Sequence, residues 1–200
     1  MAAENKELKE TIRRQVREAR RRIDPVEVQA ASASIAGKVL KLGEFVRASK
    51  VGCYMALPHE VQMYRVIETC WAQGKAVGVP VYDRNRKDYG FAWYRQGEAT
   101  GFGPEKIPQP LTIHPAVVSE LDFVLVPAVA FDPGGRRLGH GGGYYDRLLK
   151  GYSGFKVGVA FEFQMVDAVP LEAHDVDVDL VITEKRICVP RAPGNNLAGK

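Results

Sequence analysis

The sequence predicts one α/β domain of three layers, with a largely parallel central sheet and helices on both faces. Short apolar runs read as buried strands, capped amphipathic segments between them read as helices, and the two types alternate along most of the chain. With 200 residues, 46% of them hydrophobic and 26% charged, the chain has the length and balance of a single soluble domain with a sizeable core.

The first helix is expected within residues 1–23, with Leu8, Ile12, Val16 and Ala19 on one stripe and Lys9, Arg13, Arg17 and Arg20 on the neighbouring one. A second starts at Asp24 as N-cap, with Pro25 at the first helical position and Glu27 at the third, and runs through Ile35 to about Leu40. A strand over 50–57, a helix over 62–73 ended by Gly74, and a strand over 76–82 follow. Residues 89–94 form an added strand or hairpin arm, and the Pro/Gly-rich segment 97–115 reads as a long loop, a kind of segment often functional in compact domains. Residues 121–130, LDFVLVPAVA, read as a nearly continuous buried strand. Later strands are expected over 156–161 and 180–183, and 190–200 is a polar, frayed tail. No internal repeat or second domain is visible.

Composition excludes several classes. No segment reaches the roughly 18 to 20 consecutive apolar residues of a membrane span, and the charged N-terminus lacks the apolar core of a signal peptide. A cytoplasmic protein is therefore expected, with no membrane partner. Cys53, Cys70 and Cys188 are odd in number and widely spaced, which reads as reduced thiols with no zinc site. The net charge of +4 resides in the first helix: residues 4–22 hold eight basic and four acidic side chains, leaving 20 basic and 20 acidic elsewhere. Such an array can contact RNA, bind another anion or form a solvated face.

Residues 131–149, FDPGGRRLGHGGGYYDRLL, concentrate glycines, paired tyrosines and an aspartate between an apolar run and a short helical pattern. Glycine reaches backbone angles closed to other residues and lets bare N–H groups approach a ligand. At a helix N-terminus such groups favour an anion, and Arg136 and Arg137 add fork-shaped donors beside it. Asp146 follows closely enough to hold a divalent cation bridging phosphate oxygens. The stretch is neither a P-loop, since Tyr144 follows Gly143, nor a dinucleotide fingerprint, since Tyr144 stands where a third glycine belongs. On glycines alone, a phosphate cradle and a plain connection whose tyrosines cap the core stand level.

The string RLGHGGGYYDR and the preceding DxxGxRLG from Asp132 closely resemble the glycine-rich motif of the 5-formyltetrahydrofolate cyclo-ligase, or methenyltetrahydrofolate synthetase, family. Lys9-x-x-Ile12-Arg13, Pro58-His59-Glu60-Val61, IPQP at 107–110 and HDVDVDLVIT at 174–183 fall in the family's order, so the resemblance spans almost the full length. It implies an ATP- and magnesium-dependent conversion of 5-formyltetrahydrofolate to 5,10-methenyltetrahydrofolate.

Carried over residue by residue, the resemblance implies that Lys9, Arg13, Arg137, Leu138, Gly139, His140, Gly141, Gly142, Gly143, Tyr144 and Tyr145 surround ATP. It implies that Met55, Glu60 and the segment from His140 to Tyr144 meet the folate. Arg137, Tyr144 and Tyr145 are the expected catalytic residues, and Asp146 with Asp179 is the expected magnesium pair. His140 receives no proton-transfer role. Read without the family, Glu60 is equally a helix N-terminal acid, Asp175, Asp177 and Asp179 are three acids on one strand face, and Phe91, Trp93 and Tyr94 are core rings before they are a pterin platform. A monomer is expected, with ATP and the folate as partners and no nucleic acid. Two alternatives stay open: a paralogue with the same ATP site acting on another substrate or only binding folate, and an RNA-binding protein using the basic helix.

Overall fold

The computed structural model describes residues 2–172 and 175–190. The expected frayed tail, beyond Pro190, and His174 lie outside the described residues. Helices are α1 (Ala2–Arg20), α2 (Pro25–Val39), α3 (Gly43–Arg47), α4 (Tyr64–Ala72) and α5 (Tyr144–Leu148). Strands are β1 (Lys50–Gly52), β2 (Ala76–Asp83), β3 (Asp88–Trp93), β4 (Thr100–Phe102), β5 (Pro108–Pro110), β6 (His114–Ala116), β7 (Phe123–Val126), β8 (Ala130–Phe131), β9 (Arg137–Leu138), β10 (Phe155–Val159), β11 (Leu180–Ile182) and β12 (Ile187–Cys188).

Eight strands form one sheet in the order β12-β11-β10-β7-β1-β2-β3-β6. The run from β11 to β2 is parallel, and β12, β3 and β6 add antiparallel edges. The expected α/β class and largely parallel sheet therefore hold. Alternate residues of β7 divide the core: Phe123 and Leu125 pack with α2, α3 and α4, while Val124 and Val126 pack with Leu148 and Leu149 around α5. Helices cover both faces unequally, since α5 has five residues.

Local chemistry explains the boundaries. Asp24 caps α2 through Val26 N–H at 2.7 Å, and Glu27 closes the capping box. Gly74, with φ +70°, follows α4. In α1 the inward positions are Lys9, Ile12 and Val16, whereas Leu8 is 50% exposed, so the predicted apolar stripe is rotated toward Lys9. Three further expectations are corrected. The strand from Lys50 stops at Gly52, the run over 121–130 breaks at Pro127 into β7 and β8, and the long loop contains β4, β5 and β6.

Candidate active site

Chain order along the sheet reverses between β1 and β7. β1 is followed sideways by β2, whereas the chain later returns to β1's other side as β7 and moves on to β10 and β11. Loops leaving the carboxyl ends of two such strands diverge and open a crevice, where ligands of open α/β sheets bind. A cavity of about 620 Å³ lies there, lined by Tyr54, Met55, Leu57 and Glu60 after β1 and by Pro127 and Ala128 after β7.

The loop after β1 is firmly held. Glu60 accepts Leu57 N–H at 2.9 Å, Gln62 Nε2 donates to the carbonyls of Leu57 and Glu60 at 2.7 Å each, and the Tyr54 hydroxyl donates to the Val61 carbonyl at 2.6 Å. Burial pushes the Glu60 carboxyl above the usual carboxylate range, with Leu57 N–H and the Arg20 charge pulling it partly back.

Helix α1 contributes the second wall. Lys9 is buried, with Nζ 3.1 Å from Glu172 and 3.3 Å from Asp175, and Arg13 Nε donates to the Gly139 carbonyl at 2.9 Å.

The third wall is the glycine segment. β8 and β9 form a hairpin whose turn needs Gly135 at φ +80°, where a Cβ would lie 2.4 Å from the Val178 carbonyl oxygen. β9 thereby delivers Arg137, which is 7% exposed, donates through Nη2 to Asp146 and lies over the Tyr145 ring with its carbon 5.7 Å from the centroid. Its Nε is buried and makes no hydrogen bond among the described residues. Gly143, at φ +63°, turns the chain into α5 and sets Tyr144 and Tyr145 on the cavity.

Rings form the apolar part of the wall. Tyr89 of β3 meets Tyr144 edge-on at 4.8 Å, and Tyr54 and Tyr145 complete the set. Surrounding protein pushes the ionisation of Tyr54 and Tyr145 well above that of a free tyrosine, so both are neutral hydrogen-bonding groups near neutral pH. Cys53 and Cys70 offer no nucleophile: burial drives the Cys53 thiol upward and the Cys70 thiol to about 11.

Lys9, Arg13, Met55, Glu60, Arg137, Leu138, Gly139, His140, Gly141, Gly142, Gly143, Tyr144, Tyr145 and Asp146 all line this one cavity. Asp179 does not. It accepts Lys156 N–H at 2.8 Å and pairs with Lys156 Nζ at 3.0 Å, just before β11 and so at the amino end of the parallel strands. Asp175 is the member of the alternating trio that reaches the cavity; residues 175–178 are not a strand, so the alternation has no sheet face to act on. Phe91 and Tyr94 are core rings of two different clusters, and Trp93 packs against the one that holds Phe91. Tyr89, Tyr54 and Asp175 are site residues that the sequence reading missed. Tyr89 stood within the predicted hairpin arm, but only the pairing of Tyr82 with Tyr89 turns it toward the glycines.

Fold and cavity together define an α/β ligand-binding domain whose site sits at the strand reversal, with a cation-rich glycine segment facing an aromatic wall. The model of the 5-formyltetrahydrofolate cyclo-ligase family matches residues 5–184, and the chain belongs to that family of enzymes. It is 30% identical over 178 residues to the 5-formyltetrahydrofolate cyclo-ligase of Escherichia coli K12, covering 86% of this chain and 98% of that one. The Haemophilus influenzae enzyme of the same name is 32% identical, covering 86% and 95%. Among solved structures, the Aquifex aeolicus 5,10-methenyltetrahydrofolate synthetase superimposes with TM-score 0.81 at 32% identity, covering 92% of this chain and 94% of that one. The Mycoplasma pneumoniae synthetase shares the fold with TM-score 0.70 at 23% identity, covering 88% and 98%.

Proposed function

We propose that this enzyme converts 5-formyltetrahydrofolate to 5,10-methenyltetrahydrofolate with consumption of ATP, and that magnesium accompanies the nucleotide. The observation that carries the reading is one cavity lined by two chemically different sets of residues. Arg13, Arg137 and the glycine segment form a phosphate-seeking set, and Met55, Glu60, Tyr89 and Pro80 form a largely apolar set with one buried carboxyl. A flat, polar-edged ring system suits the second set, as an anion at a glycine-rich turn suits the first.

A formamide oxygen is a poor leaving group. In the proposed reaction that oxygen attacks the γ-phosphorus of ATP, breaking the bond to the ADP oxygen and forming an imidate phosphate. The neighbouring folate nitrogen then attacks the formyl carbon, the ring closes, that nitrogen gives up its proton, and phosphate leaves with the former formyl oxygen. The chain's task is positioning and charge neutralisation. Arg13 and Arg137 hold phosphate oxygens, Lys9 exchanges its contacts with Glu172 and Asp175 for the nucleotide, and Tyr144 and Tyr145 shape the junction of the two ligands. Glu60 orients the folate.

Four basic and five acidic side chains line the cavity, so a bare triphosphate meets carboxylates as well as cations. That donor set fits a triphosphate carrying magnesium, which needs only one or two protein carboxylates. Asp146, whose Oδ1 also accepts Val176 N–H at 3.3 Å, and Asp175 are the groups that would hold it. Magnesium supplies neutralisation of charge on the transferred phosphoryl group.

The test is absorbance at the methenyl-folate band after mixing purified protein with 5-formyltetrahydrofolate, ATP and magnesium, omitting each in turn. A signal that requires all three supports the reading. Absence of signal with ATP binding intact by calorimetry moves it to a relative with another substrate.

A further inference from the structure

Arg147 makes contacts that the proposed chemistry leaves unused. Its Nε and Nη2 donate to the two carboxylate oxygens of Asp88 at 2.8 and 2.9 Å, a paired fork between α5 and the first residue of β3. Its remaining arm, Nη1, donates to the Gly142 carbonyl at 2.8 Å, and its guanidinium carbon stands 5.2 Å from the centre of the Tyr144 ring. One side chain thus grips the glycine segment with one arm and the β2–β3 hairpin with the other two.

That hairpin carries the opposite wall. Pro80 and Tyr89 face the cavity, and Tyr89 contacts Tyr144. Tyr82 N–H donates to Gln109 Oε1 at 3.1 Å, which hangs the arm bearing Ile107 and Pro108 on the same hairpin. We infer that Arg147 is a positioning residue, with Asp88 as its counterpart, fixing the spacing between the phosphate-seeking glycine segment and the aromatic wall. The Arg147 interaction holds the Asp88 carboxyl below the usual range and raises the Arg147 guanidinium, so the pair stays charged across the working pH. The partners lie 59 residues apart and are half exposed. An exposed ion pair contributes little to global stability, whereas misplacing reacting groups by an ångström costs up to about 100-fold in rate.

The assignment of the two walls to ATP and folate rests on the proposed function; the clamp itself does not. The experiment therefore has two arms, run on wild type, Asp88→Ala, Arg147→Ala, Arg147→Lys and the double alanine variant. In ligand-free protein, exchange of the Arg147 amide, whose N–H donates to the Gly143 carbonyl at 3.1 Å, accelerates about tenfold in Asp88→Ala, while the melting temperature falls by no more than about 4 °C. In turnover assays each alanine variant loses about 10- to 100-fold in kcat/KM for ATP and for the folate. The double variant is no worse than the poorer single one, because both remove the same link. Arg147→Lys stays impaired, since one ammonium cannot hold Asp88 and Gly142 together. Unchanged exchange in Asp88→Ala, or losses that multiply in the double variant, would overturn the clamp. A wild type that makes no methenyl product sinks the activity reading instead, and the exchange arm still decides the clamp.

Discussion

Arg13 Nε donates to the carbonyl of Gly139 at 2.9 Å across 126 residues of sequence. The bond fixes α1 against the glycine segment and, with Nη1 donating to Glu10, spends two of the guanidinium's donors on the protein. Arg13→Ala is expected to lower kcat/KM for ATP by about 10- to 100-fold, the scale of a hydrogen bond to a charged group. Arg13→Lys recovers little of it, because a single ammonium cannot serve the carbonyl and a phosphate in the same fork geometry. Initial rates against ATP concentration decide; wild-type values in Arg13→Ala would take this residue out of the site.

Arg137 and Asp146 form a second such link, with Arg137 buried in the wall. Asp146→Asn is expected to shift the magnesium dependence of turnover to higher concentration by about tenfold or more, and Asp175→Asn to shift it in the same direction. Asp179→Asn is expected to leave it alone, because Asp179 is committed to Lys156 at the amino end of the sheet. A magnesium titration that moves with Asp179→Asn and not with Asp175→Asn would reverse the assignment.

Much of this site is legible in the sequence because its residues sit in local motifs that fold alike wherever they occur. A glycine segment after a strand and before a helix, a basic residue one turn from another, and an acid just after a buried strand are short-range patterns. What escapes is set by tertiary pairing. Pro127 has no N–H for the ladder, so the apolar run over 121–130 cannot continue as one strand. The prolines at 108, 110 and 115 argued for a loop, yet strands at the margin of a sheet tolerate them, and β5 and β6 are both marginal. Tyr89 reaches the cavity only through the hairpin register, and Asp175 lines it while Asp179 does not, because 175–178 is not a strand and Asp179 is held by Lys156 at the amino end of the sheet.

Glu60 connects the cavity to stability. Its folded carboxyl titrates above the unfolded one because burial penalises the charge. Between those two values the folded state holds more protons than the unfolded state, so stability falls as pH rises through the window and stays lower above it. Glu60→Gln keeps an acceptor for Leu57 N–H and removes the buried charge. It should melt higher than wild type at pH 8, with the gain vanishing at pH values below the unfolded carboxyl pKa, while turnover of the folate drops. In a chain of this size each 1 kcal/mol reads as about 2–4 °C. An equal gain at acid and alkaline pH would mean that the charge is not its source.

Two glycines separate packing from backbone entropy. At Gly158, in the centre of the sheet, an added Cβ would lie 2.6 Å from the Phe131 ring, which is fully buried and has no room to retreat. Gly158→Ala is expected to cost about 1–3 kcal/mol through overpacking, and to lower turnover as well, since Phe131 pairs with Arg137 in the hairpin that sets the site. Gly37 lies within α2, where an added Cβ meets nothing within 4 Å. Gly37→Ala should stabilise by about 0.5–1 kcal/mol, because the unfolded chain loses freedom and the helix gains propensity. Thermal melts of the two variants should therefore move in opposite directions from wild type. A Gly158→Ala protein that melts and turns over normally would show that the β8–β9 hairpin can shift without disturbing Arg137, and that the rigidity of that wall is not what holds the guanidinium in place.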